Sequence, residues 1–233
     1  MVRFYETPHN YRGRLIIVEG IDGSGKSTQL QLMHKWLLNR GYDVFVTEWN
    51  SSVLVKNTIK RSKKQNILTP TTFRILHAAD FSDRLCNLII PPIKAGMIVL
   101  ADRYIYTAFC RDTVRGVRPE WVRDLYGFAL KPDIAFYFKV PIEVSIERVI
   151  SARTKIKYYE AGMDLGLSND IVECFKLFQG RVLVEYDRVA KEFQLDVIDG
   201  TAPIEKQQQI VREIIDRQLN GNQAYPASNE GRK

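Results

Sequence analysis

The sequence predicts an α/β fold, in which a parallel β-sheet carries helices on both faces. Five short apolar runs predict strands at residues 14–19, 43–47, 97–101, 134–139 and 195–198. Helical stretches separate these runs, and this alternation is typical of a parallel sheet. The 233 residues are 45% hydrophobic, which suits one domain with a substantial core. Ligands bind such sheets at the carboxyl ends of the strands, so the residues after each strand are the first site candidates.

A glycine-rich segment, GIDGSGKS at residues 20–27, follows the first strand. It fits the phosphate-binding loop pattern, in which Gly and four free positions precede Gly-Lys-Ser. The glycines let successive backbone N–H groups point at phosphate oxygens, and the next helix adds its positive end. Lys26 is expected to reach the β- and γ-phosphates, and Ser27 to bind Mg²⁺. The candidate nucleotide-binding residues are Gly20, Asp22, Gly23, Ser24, Gly25, Lys26, Ser27 and Thr28.

The segments on either side of this loop are predicted to be a strand and a helix. Residues 14–19, RLIIVE, form a short apolar run that predicts a buried strand. After the loop, Leu30, Met33 and Leu37 recur at helical spacing, and Gly41 is expected to end that helix. A strand, a glycine loop and a helix in this order are the context that a phosphate-binding loop needs.

An acidic residue and a basic residue, Asp102 and Arg103, follow the third predicted strand. A carboxylate at this place typically holds Mg²⁺ through water, and an arginine beside it can bind phosphate oxygens with two N–H groups. The alternatives are that Asp102 caps the next helix and that Arg103 forms an ordinary salt bridge.

One face of a predicted helix after residue 69 carries Arg74, His77, Phe81 and Arg84. At about 100° per residue these side chains share roughly one quarter of the helix surface. They could bind an anionic substrate that contains a ring. In the alternative, Phe81 belongs to the core and both arginines lie in solvent.

A basic cluster at residues 147–160 follows the fourth strand and includes Arg148, Arg153, Lys155 and Lys157. A basic lid over phosphates is a common way to exclude water during phosphoryl transfer, and we place it at about residues 150–168. The alternative is a solvated helix face.

Net charge is +7 and the isoelectric point is near 9.3, which favours an anionic partner. The densest basic run, KRSKK at 60–64, is predicted to be a solvated helix end, so we favour a small anionic substrate over nucleic acid. The three cysteines have no metal-type spacing, and no apolar run is long enough for a membrane span. We therefore expect a cytoplasmic protein, with an N-terminal extension at 1–13, one α/β domain at 14–219 and a disordered tail at 220–233.

Five segments occur in the order found in thymidylate kinases: LIIVEGIDGSGKSTQ, ILHAADFSDRL, IVLADRYIYTA, KPDIAFYFKVPIEVSIERV and KYYE. The chain resembles this family over about residues 14–219. The resemblance implies a three-layer P-loop kinase fold with a five-stranded parallel sheet and a short lid. It also implies transfer of the γ-phosphoryl group of ATP to dTMP with Mg²⁺, usually by a homodimer.

The same resemblance implies roles for individual residues. Asp22 matches the loop acid that faces the acceptor nucleotide, and Asp102 and Arg103 match a pair near the metal and the acceptor phosphate. Because position 23 is glycine, the resemblance points to a lid arginine, Arg153, as the catalytic cation. The catalytic candidates are Lys26, Asp102, Arg103 and Arg153, and the metal candidates are Ser27 and Asp102.

The chain departs from the family where the acceptor base should bind. Family members carry an aromatic residue and a thymine-reading arginine where this sequence has His77 and Phe81, and a lid arginine where it has Tyr158. The segments at Glu48-Trp49-Asn50 and Cys110-Arg111-Asp112 also differ. The acceptor-site candidates are Asp22, Glu48, Arg74, His77, Phe81, Arg103, Arg111 and Tyr158.

Three functions remain open on sequence alone. The first is dTMP phosphorylation, and the second is phosphorylation of another nucleotide or phosphorylated acceptor in the altered pocket. The third is nucleotide binding without turnover. Small-molecule nucleotides are the expected partners in the first two cases, with no stable binding to nucleic acid or membrane.

Overall fold

The fold of the chain was analysed in a computed structural model, which describes residues 3–65, 68–152 and 155–220. The sheet has five parallel strands in the order β2-β3-β1-β4-β5. Their bounds are β1 Arg14–Glu19, β2 Val44–Glu48, β3 Ile98–Asp102, β4 Ile134–Lys139 and β5 Asp196–Asp199. The predicted α/β class is confirmed, and each predicted strand lies within one residue of its observed bounds.

The described residues form ten α-helices between and after the strands. They are α1 Lys26–Asn39, α2 Lys56–Gln65, α3 Pro70–Arg84, α4 Ile90–Lys94, α5 Ile105–Val114, α6 Pro119–Leu125, α7 Ile142–Ala152, α8 Tyr158–Ala161, α9 Ile171–Glu192 and α10 Ile204–Asn220. A π-helical turn, Leu85–Ile89, joins α3 to α4, and short 3₁₀ turns occur at Phe4–Glu6 and Met163–Leu165. None of these helices is long and apolar enough to cross a membrane.

Two apolar layers cover the two faces of the sheet, because alternate side chains of each strand point to opposite faces. On one face, Ile16 and Val18 of β1 pack with Leu30 of α1 and Val211 of α10. On the other face, Leu15 and Ile17 pack in a larger cluster with residues of α3, α5 and α9. The central strand β1 is therefore buried on both sides, which explains its unbroken apolar run.

The segment before β1 packs against the domain. Tyr5 is 1% exposed, and its ring contacts Phe109 and Phe193 at centroid distances of 5.6 and 5.8 Å. The backbone N–H of Phe4 donates to the carbonyl of Gly127. This segment is thus anchored to the larger core through Tyr5. The predicted tail begins at Asn220, which ends helix α10, and its remaining residues, 221–233, lie outside the described residues.

The strand register brings the predicted site residues to one edge of the sheet. Val18 of β1 pairs with Asp102 of β3, and Glu48 of β2 also pairs with Asp102. The glycine loop, Glu48 and the Asp102-Arg103 pair consequently meet at the carboxyl ends of three adjacent strands.

Candidate functional site

The glycine loop wraps the amino end of α1 in a conformation that requires glycine. Gly20 and Gly23 have φ angles of 146° and 78°. An added Cβ at Gly20 would lie 2.6 Å from the Phe138 carbonyl oxygen, and one at Gly23 would lie 2.6 Å from that of Ser145. Both carbonyls belong to backbone that cannot easily shift, so no side chain fits at either position. The loop leaves the first N–H groups of α1 available to an anion.

Lys26 begins α1 and its ammonium lies in this loop. Its Nζ donates to the carbonyl of Ile21 at 3.4 Å, and the residue is 6% exposed. Burial, together with the charge of Arg103, lowers the pKa of Lys26 to about 8. A negatively charged phosphate in the loop would favour the ammonium form and offset its cost of burial.

Ser27 and Asp102 meet across the cleft, where Ser27 Oγ donates to Asp102 Oδ2 at 2.7 Å. Within residues 3–65, 68–152 and 155–220, no three His, Cys, Asp or Glu side chains form a cluster that could hold a metal. The Ser27–Asp102 pair offers hard oxygen ligands next to the loop, with Glu48 in the same cleft.

Asp22 is the centre of a buried charged cluster. Its Oδ1 accepts from Arg103 at 2.6 Å, and its Oδ2 accepts from Arg111 at 2.5 Å and from Gln179 at 3.0 Å. Burial alone would raise the pKa of Asp22, but the charges of Arg111 and Arg103 outweigh it and hold the pKa well below its usual range. The carboxylate is thus ionised and brings two arginines together at the cleft.

Arg103 is held in place from several directions. Its backbone has φ = 65°, unusual for a residue with a side chain, and its Nη1 donates to the Gly20 carbonyl at 3.1 Å and to Thr107 Oγ1 at 3.2 Å. Thr107 donates in turn to the buried carboxylate of Glu19 at 2.6 Å. Glu19 also accepts from the backbone N–H groups of Tyr104 and Thr107, at 2.8 and 3.1 Å. This network ties the start of α5, and with it Arg103, to β1.

Sequence reasoning missed Glu19, Thr107 and Gln179. The charged Glu19 at the end of the apolar strand RLIIVE was the one available signal, since a carboxylate there is 0% exposed only if it is well bonded. Gln179 lies 157 residues from Asp22 in the chain, and no local pattern predicts their contact.

The cleft beyond these charges has a volume of about 290 Å³ and an aromatic end. His77 lies there between Trp49, whose ring is stacked 6.4 Å away, and Phe73, whose ring is 4.4 Å away. The rings that line this end are Trp49, Phe73, His77, Tyr126 and Tyr159. Burial, with the charges of Lys63 and Arg115, lowers the pKa of His77 well below its ordinary value, so the imidazole is neutral.

Lys63 of α2 corrects the prediction that residues 60–64 are a solvated helix end. Its side chain lines the cleft, with Nζ 5.0 Å from the Phe73 ring centroid and 5.7 Å from that of Tyr159. Lys64 and Arg61 are exposed, as predicted for the run. The signal missed was helical periodicity, since Lys63 lines the cleft while the other basic residues of the run are exposed.

The four residues of the predicted α3 face lie in different environments. Of its four residues, His77 lines the cleft, whereas Phe81 is 0% exposed and packs in the core against Tyr104 and Tyr126. The placement of Phe81 in the acceptor site is thus wrong, because its side chain points behind Trp49 into the apolar layer.

The two arginines of that face are neither in the cleft nor in solvent. Arg74 is 4% exposed and lies 3.7 Å from Asp112, beside a second cavity. Arg84 is fully buried and donates to Thr47 and to the Arg103 carbonyl. Arg84 therefore joins the ends of β2 and β3 beneath the site.

The lid candidates lie at different places. Arg148 donates to the carbonyls of Gly23 and Gly200, which places it against the glycine loop. Lys157 pairs with Glu160 at 3.0 Å. Tyr158 is 47% exposed and borders the second cavity, so its role in the acceptor site stays a prediction. Arg153 lies outside the described residues.

The glycine loop, the aspartate at the end of β3 and the parallel sheet define a nucleotide-binding P-loop fold of the kinase type. A sequence profile of the family described as thymidylate kinase matches residues 18–211. The chain belongs to the thymidylate kinase family of phosphotransferases, as the resemblance predicted.

Curated relatives agree with this assignment. The chain is 45% identical over 212 residues to "Probable thymidylate kinase 2" of Saccharolobus solfataricus, covering 91% of this chain and 99% of that protein. It is 36% identical over 152 residues to "Probable thymidylate kinase" of Thermococcus kodakarensis, covering 61% and 74%. It is 30% identical over 219 residues to "Thymidylate kinase" of Nitrosomonas eutropha, covering 88% and 94%.

Proposed function

We propose that this chain is an ATP-dependent nucleoside-monophosphate kinase that phosphorylates dTMP to dTDP with Mg²⁺. The observation that carries the proposal is that the glycine loop, the Ser27–Asp102 pair and the Arg103–Asp22–Arg111 cluster open into one cleft. One side of that cleft suits a triphosphate and the other a monophosphate. The names of the relatives support dTMP as the acceptor.

The donor triphosphate binds along the glycine loop in this proposal. Backbone N–H groups of Gly20, Asp22, Gly23, Ser24, Gly25, Ser27 and Thr28 surround its phosphates, and Lys26 contacts the β- and γ-phosphates. The buried Lys26 ammonium is held within the loop by the Ile21 carbonyl, so little reorganisation is needed when ATP binds.

Ser27 and Asp102 are the proposed Mg²⁺ site, because their oxygens are adjacent and face the cleft. Ser27 and Asp102 would hold the ion through their hydroxyl and carboxylate oxygens. When bound, Mg²⁺ would supply positive charge that offsets the charge of the transferred phosphoryl group.

The acceptor reacts through its own phosphate, which is already ionised near neutral pH, so the site needs no strong general base. An acceptor phosphate oxygen bonds to the γ-phosphorus while the bond from that phosphorus to the β–γ bridging oxygen breaks. ADP leaves with the bridging oxygen. Arg103 and Arg111 bring the acceptor phosphate into line and offset its charge, and Asp22 aligns both guanidinium groups.

The lid completes the charge neutralisation in this proposal. Arg153 is the proposed lid cation, and Arg148, Lys155 and Lys157 are its possible substitutes. Among these residues, Arg148 donates to the loop carbonyl of Gly23, which supports a basic side chain next to the phosphates.

The acceptor side supports a second candidate, a kinase for another monophosphate. The aromatic end of the cleft holds His77 and Lys63, and the predicted base-reading position, Phe81, is in the core. A pocket with altered polar groups can reject one base and accept another. The remaining candidate, nucleotide binding without turnover, would show ATP binding without ADP formation.

The test is to incubate the full chain with ATP, Mg²⁺ and one monophosphate at a time, and to measure ADP. The panel contains dTMP, dUMP, dCMP, dAMP, dGMP and the corresponding ribonucleotides. We expect turnover with dTMP above the other acceptors. Turnover only with another acceptor would support the second candidate, and ATP binding with no turnover would support the third.

The remaining properties are proposed with the function. We propose a cytoplasmic homodimer whose partners are small nucleotides, without stable binding to nucleic acid. Light scattering at micromolar protein concentration tests the dimer. A mass of about one chain, 26.9 kDa, would contradict it.

A further inference from the structure

Two polar side chains from different helices flank one aromatic surface in the cleft. Lys63 of α2 places its Nζ 5.0 Å from the centroid of the Phe73 ring. His77 of α3 places its ring 4.4 Å from the same Phe73 ring. Both residues line the same cavity. An ammonium and an imidazole therefore border a surface on which a planar ring could stack.

Neither side chain has its polar atoms satisfied by the described part of the chain. Nδ1 and Nε2 of His77 are both buried there without a hydrogen-bond partner, and the residue is 8% exposed. Nζ of Lys63 contacts two aromatic rings, and among the described residues it forms no hydrogen bond or ion pair. Unpaired buried polar groups cost free energy, so a ligand that pairs with both would be favoured.

The two groups offer different chemistry to a ligand. A lysine ammonium only donates hydrogen bonds, whereas a neutral imidazole has one nitrogen that accepts and one that donates. His77 is kept neutral by burial and by the positive charges of Lys63, Arg115 and Arg111 that face it. A ligand complements both residues if one edge of its ring carries a carbonyl oxygen beside a ring N–H. Lys63 would then donate to the oxygen, and His77 would accept from the N–H.

This edge distinguishes the pyrimidines. Thymine and uracil present a carbonyl at C4 next to the N3–H, which matches Lys63 and His77. Cytosine presents an amino group at C4 next to an unprotonated N3. Its amino group would face the ammonium of Lys63, where both groups are donors and neither accepts.

We propose that Lys63 and His77 read the acceptor base in this chain, and that they select a 2,4-dioxopyrimidine over cytosine. The inference rests on the proposed function, because it takes the cleft as the acceptor site. The pair performs the task that the family resemblance assigns to an arginine at position 81, where this chain has a buried phenylalanine.

The experiment measures kcat/KM for dTMP, dUMP and dCMP, with ATP and Mg²⁺, for the full chain and its variants. Lys63→Met keeps the length and the contact with the rings but removes the charge. Since a hydrogen bond to a charged group is worth a factor of about 10 to 100, we expect kcat/KM for dTMP and dUMP to fall by that factor, mainly through KM. The value for dCMP should change little, so the dTMP:dCMP ratio falls.

Matched variants separate base reading from general damage. Lys64→Met changes the exposed neighbour on the same helix and should leave all three values unchanged. Lys63→Arg keeps the charge and should keep the preference for dTMP. His77→Phe keeps the aromatic stack without the acceptor nitrogen and should also lower the dTMP:dCMP ratio. Calorimetric titration with dTMP should show the same losses in affinity without turnover.

The outcomes distinguish this inference from the proposed function. If the unmodified chain phosphorylates none of these acceptors, the proposed function fails and the inference fails with it. If the chain phosphorylates dTMP but Lys63→Met and His77→Phe leave the dTMP:dCMP ratio unchanged, the inference alone is overturned. A preference of the unmodified chain for dCMP over dTMP would also overturn it.

Discussion

The two sides of the cleft are built in different ways. The donor side comes from one continuous segment, residues 20–28, with Asp102 added from the neighbouring strand. The acceptor side takes its lining from β2, α2, α3, α5 and α8, which are far apart in the chain. In the proposed function, the donor side binds mainly through backbone N–H groups, whereas the acceptor side uses side chains.

This difference explains why the sequence shows a motif for the donor side and none for the acceptor side. A phosphate is bound by backbone groups that only a particular loop conformation provides, so the glycine pattern is constrained. A base can be bound by several combinations of rings and polar groups from different helices. His77 and Lys63 are proposed above to form one such combination, and no local motif in the sequence predicts it.

The largest expected effect is on the donor side. Lys26→Ala should lower kcat by about 10³-fold or more, since one preorganised donor is worth about 10²–10³ and this one is also charged. Initial rates of ADP formation at saturating ATP and dTMP measure the loss. Lys35→Ala, on an exposed face of the same helix, is the control and should retain full activity. Substantial turnover by Lys26→Ala would remove the loop from the mechanism.

Arg103 lies between the two sides and should show the next largest effect. Arg103→Ala should lower kcat by about 10²-fold to 10³-fold and leave ATP affinity nearly unchanged, because the proposed ligand of its guanidinium is the acceptor phosphate and not ATP. Steady-state kinetics and an ATP binding titration separate the two quantities. An unchanged kcat would show that Arg103 only supports the turn after β3.

Arg111 tests whether the acceptor side binds its ligand separately from the donor side. Arg111→Ala should raise KM for the acceptor about tenfold, with little change in KM for ATP, because it removes one charge-assisted hydrogen bond to the monophosphate. Kinetics with each substrate varied in turn measure both constants. The exposed Arg118→Ala serves as the control. Equal increases in both KM values would contradict a division of the cleft into two sides.

The smallest expected effect concerns stability at low pH. The folded-state pKa of His77 is depressed, whereas an unfolded histidine titrates near 6.5, so the unfolded chain binds the extra proton. The stability from neutral His77 is present above about pH 6.5 and is lost as pH falls, by up to about 1.4 kcal/mol per pH unit. Urea unfolding at pH 7.5 and 5.5 should therefore show a larger decrease for the unmodified chain than for His77→Phe. Equal decreases would mean that His77 is protonated in the folded protein.

Regular patterns allowed much of the fold to be predicted. The strands were recognisable because buried parallel strands are short apolar runs, and Asp102 because it follows one of them. Arg84 shows where this reasoning stops. Its charge suggested a surface or a ligand, but it is fully buried because Thr47 and the Arg103 carbonyl accept its hydrogen bonds. Those acceptors are on other elements, so the helix sequence carries no sign of them.

By itself, the sequence determined the order of strands and helices, the phosphate loop and the family. These depend on residues close together in the chain, whose spacing reflects local geometry. Only the tertiary structure decided that Lys63 faces the cleft while Phe81 lies in the core, and that Glu19 and Asp22 hold the start of α5 and its arginines. The physical reason is that burial and hydrogen-bond partners on the acceptor side come from packing between distant segments.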